Sequence, residues 1–223
     1  DLSRFNAAPT TEWWPVPAEL VELVGRAAGI SDLTDGAFDV TVGPLVDLWG
    51  FGSKGGRATP PNAREIADLM PLVGYRKLDT RRAPPALRKS VGGLQIDLSS
   101  IAKGWAVDQI AGLLTGLGYA NFLVEIGGEV YARGEKQPGQ AWHIAIEKPL
   151  PGRRQVQRVV ALNDMALASS GDYRNYYSAG ERRYSHTIDP RTGQSVRHRL
   201  AAVSVLADNC AEADAWATAL MAL

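Results

Sequence analysis

Residues 100–117 read SIAKGWAVDQIAGLLTGL, the clearest helical pattern in the chain. Ala106, Ile110, Leu113, Leu114 and Leu117 recur at helical spacing and mark the face expected to be buried, and Gly118 is a natural stop. What flanks this helix decides the fold class. Upstream lie two further amphipathic stretches, residues 17–30 and 62–73. Pro17 suits a first turn, and Asn62 with Glu65 has capping-box spacing. Short strands are expected near 75–79, 86–90 and 94–98. Downstream, strands dominate, at 121–132, 142–148, 155–162, 173–178, 183–188 and 200–207. A last helix covers about 210–223, with Asn209 and Glu212 repeating the capping spacing. This is helices followed by strands rather than regular βαβ alternation, so the chain reads as α+β with a largely antiparallel sheet. Residues 36–56, rich in glycine, read as a loop.

The bulk numbers narrow the function classes. The chain has 223 residues, 45% of them hydrophobic, enough for a well-formed core in one domain or in two small lobes packed as one. Lys+Arg and Asp+Glu are each 24, and the mixed charges give no pull toward nucleic acid or an anionic membrane. Cys210 is the only cysteine, which excludes an internal disulfide. No apolar run approaches the roughly 20 residues that span a bilayer, and no signal peptide is visible. The opening DLSRFN and the closing ATALMAL read as a domain trimmed at both ends.

Four segments carry residues that packing alone explains poorly. In Asp97–Gly104 (DLSSIAKG) a helix starts within a few residues of Asp97, and Lys103 puts a cation in its first turn. Helix N-termini favour phosphates, but a plain N-cap beside a solvated lysine fits the spacing equally well. Glu125–Glu129 (EIGGE) follows the apolar run Phe122–Val124. Its paired glycines suggest close approach to a ligand, although a turn flanked by two solvated glutamates is the simpler reading. In Ser185–Gly193 (SHTIDPRTG) the Asp189–Gly193 piece is an ordinary turn. His186, one of three histidines, could serve as a general base or be structural. In Glu212–Thr218 (EADAWAT), Asp214 and Thr218 lie four apart on a helix among alanines and Trp216. A buried carboxylate needs a cation or donors. Oxygen ligands would suit Mg²⁺, and an Asp–Thr hydrogen bond would serve as well. Zinc-type Cys/His spacing and Walker patterns are absent from the sequence.

The order of these pieces resembles the ApbE family of flavin transferases. The matching stretches are residues 35–52 (DGAFDVTVGPLVDLWGFG), 97–114 (DLSSIAKGWAVDQIAGLL), 119–134 (YANFLVEIGGEVYARG), 166–177 (ALASSGDYRNYY), 185–196 (SHTIDPRTGQSV) and 210–220 (CAEADAWATAL). The resemblance implies two similar α/β lobes with largely antiparallel sheets, T-fold-like, and FAD in a cleft between them. It implies that Gly36, Ala37, Phe38, Asp97, Lys103, Glu125 and Ile188 contact FAD. It implies Mg²⁺ held by the side chains of Asp214 and Thr218 and the backbone carbonyl of Ser100, with His186 as general base. The implied reaction moves FMN from FAD onto a Thr or Ser hydroxyl of an acceptor protein and releases AMP. Acceptors in the family are flavoprotein subunits of membrane redox complexes. The implied location is the periplasm, or the periplasmic face of the inner membrane where an N-terminal lipid anchor, not visible in this sequence, would hold the protein.

Two other functions share these residues. Water as the nucleophile would make an FAD pyrophosphatase giving FMN and AMP. A flavin-binding module without catalysis would need neither base nor metal. On the transferase reading, Lys103→Ala is expected to weaken FAD binding without unfolding the protein.

Overall fold

The structure, a computed structural model, describes residues 1–52, 55–57, 59–150 and 152–223. It is an α+β fold. The helices, in chain order, are α1 (Leu2–Ala7), α2 (Ala18–Leu33), α3 (Gly43–Leu48), α4 (Ala63–Leu69), α5 (Ala102–Gly116) and α6 (Cys210–Ala222). The strands are β1 (Trp14–Pro15), β2 (Leu78–Arg82), β3 (Pro85–Lys89), β4 (Phe122–Ile126), β5 (Glu129–Arg133), β6 (Glu135–Gln137), β7 (Gln140–Glu147) and β8 (Val156–Leu162). They continue with β9 (Met165–Gly171), β10 (Tyr176–Ala179), β11 (Arg182–Ser185), β12 (Ile188–Asp189), β13 (Gln194–Ser195) and β14 (Ala202–Ala207). Among the described residues every pairing of these strands is antiparallel. The chain forms two compact units. One comprises residues 1–98, 175–198 and 222–223, the other 99–174 and 199–221.

The first unit packs α2 on the small sheet β1-β3-β2, with Val21, Leu23, Val24, Ala27 and Ile30 buried. A second cluster gathers Leu45 and Trp49 with Ile66, Val73, Tyr184 and Ile188. Trp49 is 1% exposed, and its indole N–H donates to the Gly193 carbonyl at 2.8 Å. Burying such a side chain contributes about 1.5–3 kcal/mol, and the polar edge is satisfied as burial demands. Asn62 and Glu65 form the expected capping box at α4. The stretch read as a loop contains a helix instead, α3. Pro44 sits in its first turn, and Leu45 supplies the apolar contact that short-range glycine content had masked. Residues 53 and 54 of that stretch lie outside the described residues. The strand expected at 94–98 is absent. Gln95 makes only an isolated bridge to Val42, while the Asp97 amide donates to the Val40 carbonyl at 2.7 Å.

The second unit is layered. Its central sheet has the order β14-β9-β5-β4. One face, carrying Phe122, Val124, Ala166 and Ala168, packs against Val107 and Ala111 of α5 and Cys210 and Ala213 of α6. The other, carrying Val130, Ala132 and Leu167, packs against Trp142, Ile144, Val160 and Leu162 of the sheet β6-β7-β8. Successive residues of each strand point to opposite faces, so the alternation alone fills both layers. The strand expected at 121–132 is a hairpin. Gly127 and Gly128, with φ of 65° and 106°, make its two-residue turn and put Ile126 opposite Glu129. Two consecutive positive φ values favour glycine, which adopts them without a Cβ penalty. The central strand β9 escaped the sequence reading, because MALASSG holds few β-branched or aromatic residues.

Helix α5 corrects the expected buried face. Gly104, Val107 and Ala111 are buried, whereas Ile110, Leu113 and Leu117 are 42%, 58% and 66% exposed. Close approach of α6 is the reason, since the contact selects small residues. A Cβ on Gly104 would fall on the Cys210 carbonyl and within 2.8 Å of the Ala211 amide nitrogen. Gly104→Ala must therefore push the two helices apart, and overpacking of this kind costs about 1–3 kcal/mol. The expected result in a thermal melt is a Tm lower by roughly 3–10 °C; an unchanged Tm would show that the helices yield freely.

Candidate active site

The helices α5 and α6 cap one another. The α5 N-terminus has no capping side chain of its own. Its Gly104 amide donates instead to Asp214 Oδ2 of α6 at 3.0 Å. In return, Asp108 of α5 accepts from the first amides of α6, Cys210 N at 2.7 Å and Ala211 N at 2.9 Å. Asn209 completes that end by accepting from Glu212 N at 2.9 Å. Each cap is worth about 0.5–2 kcal/mol, and the exchange fixes Asp214 beside the start of α5.

There Asp214 meets Lys103. The Lys103 ammonium lies 3.1 Å from Asp214 Oδ1 and 3.1 Å from Glu129 Oε1, and it also donates to the Ser99 carbonyl at 3.4 Å. Both carboxylates are buried, with side chains 3% and 5% exposed, while Lys103 remains 41% exposed. Two buried acids thus share one ammonium. Burial works against the lysine charge, yet the two carboxylates together lift its pKa above the usual value. Burial raises the Glu129 pKa in turn, with Lys103 pulling against it. The second carboxylate oxygen, Glu129 Oε2, is buried and has no hydrogen-bond partner.

This geometry contradicts the reading of Lys103 as a solvated lysine whose loss leaves stability almost unchanged. Lys103→Met would leave two desolvated carboxylates without their cation. Partial exposure of Lys103 moderates the loss, so a cost of about 1–3 kcal/mol is expected. A solvated lysine would change stability by no more than about 0.5 kcal/mol. Chemical denaturation of the two proteins at neutral pH distinguishes the cases.

Thr218, one turn beyond Asp214, is half-buried, and its hydroxyl meets Ser170 Oγ at 3.1 Å. Ser100 is half-buried in the turn that leads into α5. The structure therefore brings Lys103, Asp214 and Glu129 into direct contact. Glu125 stands apart, exposed near the end of β4. In the hairpin Glu129 pairs with Ile126, which faces the helices, whereas Glu125 pairs with Val130, which faces the other layer. Glu129 is the residue that sequence reading passed over. Its signal was the two-residue Gly127-Gly128 turn, which fixes register and sends the two glutamates to opposite faces.

The first unit holds the remaining candidates. His186 lies between β11 and β12, half-buried. Its Nδ1 is 3.2 Å from the Asn175 carbonyl. A carbonyl only accepts, so this bond requires the proton on Nδ1 and leaves Nε2 as the ring's acceptor. Phe51 stands edge-on to the imidazole, with centroids 6.2 Å apart at 71°. Phe51 is in turn held by Tyr177, which stacks on Tyr184 against Trp49. The Asp189–Gly193 turn is as expected: the Gly193 amide donates to the Asp189 carbonyl at 2.8 Å. Ile188 is 5% exposed within the first unit's core cluster. Gly36, with φ of 77°, follows α2, and Ala37 and Phe38 are each 2% exposed. Asp97 is half-buried beside Gly43.

The ApbE family model matches residues 1–223. A FAD:protein FMN transferase of Vibrio cholerae is 43% identical over the whole chain, which spans 66% of that protein's length. The apo crystal structure of the Pseudomonas stutzeri flavinyl transferase ApbE, 43% identical, superposes with a TM-score of 0.88 over all of this chain and 68% of that one. The ApbE protein of Thermotoga maritima, 32% identical, gives 0.88 over 99% of this chain and 70% of that one. The chain belongs to the ApbE family.

Proposed function

We propose that this protein transfers FMN from FAD to a Thr or Ser hydroxyl of an acceptor protein and releases AMP, with Mg²⁺ as cofactor. The observation that carries the reading is the Lys103–Asp214–Glu129 cluster, a cation held by buried acids at a helix start, in a chain whose relatives are FAD:protein FMN transferases. Storage of a flavin requires no such concentration of buried charge.

The residues fit magnesium. Among the described residues no three His, Cys, Asp or Glu side chains form a cage by themselves. Magnesium, however, usually takes one or two carboxylates and fills its shell with water and substrate phosphates. By family likeness Asp214, the Thr218 hydroxyl and the Ser100 carbonyl would supply the ion with hard oxygen ligands. When bound, the ion would neutralise charge on the pyrophosphate.

The chain's own groups do the rest. The Lys103 ammonium faces the negative charge that accumulates on the phosphate oxygens as the pyrophosphate splits. The acceptor hydroxyl attacks the FMN-side phosphorus. A new P–O bond forms to the acceptor, the bridging P–O bond breaks, and AMP leaves with the bridging oxygen. His186 Nε2 takes the hydroxyl proton, and the Nδ1 bond to Asn175 holds the tautomer that makes this transfer feasible. Gly36, Ala37, Phe38, Asp97, Glu125 and Ile188 are assigned to FAD contact by family likeness. The acceptor is assigned as a flavoprotein subunit of a membrane redox complex, met on the periplasmic side, also by family likeness.

The test is incubation with FAD, Mg²⁺ and a candidate acceptor, followed by intact mass of the acceptor and AMP quantification. Equal yields of AMP and flavinylated acceptor, both requiring acceptor, support transfer. AMP and free FMN formed at the same rate without acceptor would make the protein a pyrophosphatase.

A further inference from the structure

We infer that Glu129 is a further determinant of divalent-cation binding in the second unit, with Oε2 facing the ion or one of its waters. This deepens the proposed metal role of Asp214 and Thr218 and rests on it.

Three observations support the assignment. First, the Glu129 side chain is 5% exposed, and Oε2 is buried with no hydrogen-bond partner. A desolvated carboxylate oxygen without a donor is costly, and native structures rarely keep one without a use. Second, its sister oxygen Oε1 is 3.1 Å from the same ammonium that lies 3.1 Å from Asp214 Oδ1. The orphaned oxygen therefore belongs to the cluster that contains the candidate ligand. Third, the charges do not balance: Asp214 and Glu129, when ionised, face one lysine. A divalent ion added beside Asp214 competes with Lys103 for that carboxylate, and Glu129 Oε1 keeps the displaced ammonium paired. The hard oxygen at Oε2 is of the type that Mg²⁺ and Mn²⁺ take. The Gly127-Gly128 turn sets the register that delivers Glu129 here, which gives that turn a reason beyond chain reversal.

The experiment is Mn²⁺ binding to the 223-residue chain, followed by electron paramagnetic resonance of the free ion, with no FAD and no turnover. Wild type and Glu129→Gln are compared, and the metal-free melting of each is recorded. Glu129→Gln is expected to melt cooperatively and to bind Mn²⁺ at least about tenfold more weakly, the size of effect typical when a supporting group near a metal is lost. Binding within twofold of wild type would overturn the inference. If the Gln variant does not melt cooperatively, Glu129→Asp takes its place. It keeps a charge for Lys103 but withdraws the oxygens by one methylene. Weakening of threefold or more supports the assignment, and unchanged affinity overturns it. Wild-type binding that survives both changes removes the role of Glu129 and leaves Asp214 and Thr218 intact. No binding by wild type removes both.

Discussion

Asp214→Asn is expected to abolish FMN transfer while leaving a folded protein. The amide oxygen can still accept the Gly104 N–H that Asp214 Oδ2 accepts at 3.0 Å, so the α5 start keeps its cap. Lys103 keeps Glu129 as a partner at 3.1 Å. What disappears is the anionic oxygen proposed to hold the metal. Loss of several kcal/mol of transition-state stabilisation corresponds to a fall of about a thousandfold or more in rate. Asp214→Ala removes cap and charge together. Breaking a buried pair costs about 3–5 kcal/mol, and the partial exposure of Lys103 brings the figure nearer about 2–4 kcal/mol. The Ala variant should therefore melt well below the Asn variant, with both inactive. Single-turnover AMP release and melting curves on the two proteins check this. An Asn variant at the wild-type rate would leave Asp214 a purely structural cap.

His186→Ala carries the second large effect. Removal of a general base slows proton transfer by about 10²–10⁴-fold. The imidazole is half-buried, stands edge-on to Phe51 and bonds the Asn175 carbonyl through Nδ1, so its removal sacrifices little apolar burial. Melting temperature and FAD affinity should therefore stay close to wild type while the transfer rate collapses. A structural histidine would behave in the opposite way, lowering Tm and FAD affinity together with only a matching loss of rate. All three quantities are measured on one sample, so the alternatives separate cleanly. Transfer at the wild-type rate would remove the base assignment.

How much of this was legible in the sequence depended on whether the deciding contact was local. Capping at Asn62–Glu65 and Asn209–Glu212, the C-terminal helix, and the turn after Asp189 are set within a few residues, and all were readable. The α+β class followed from the succession of helices and strands. The face of α5 was not legible, because ranking by side-chain size favours Ile110, Leu113 and Leu117. The contact with α6 instead selects Gly104, Val107 and Ala111, and no spacing rule reveals how near a second helix will come. Strand β9 was missed for a related reason. Alanines and serines have weak strand preference, yet Ala166 and Ala168 let the helices close on the sheet. Among the candidate residues, Asp214, Thr218 and Lys103 of the second unit and His186 of the first were singled out by residue type. Their roles were less readable than their identities. Lys103 could not be seen to bridge Asp214 and Glu129, since 111 residues separate the first pair in sequence. Glu129 could not be told from Glu125 until the hairpin register was known.

The proposed transfer requires a protein hydroxyl, not water, to attack the FMN-side phosphorus. Running the reaction in ¹⁸O-labelled water with FAD, Mg²⁺ and acceptor tests it most directly. Flavinylated acceptor and AMP are both expected to lack the heavy isotope. Heavy oxygen in FMN as the main product, with the acceptor unmodified, would contradict it.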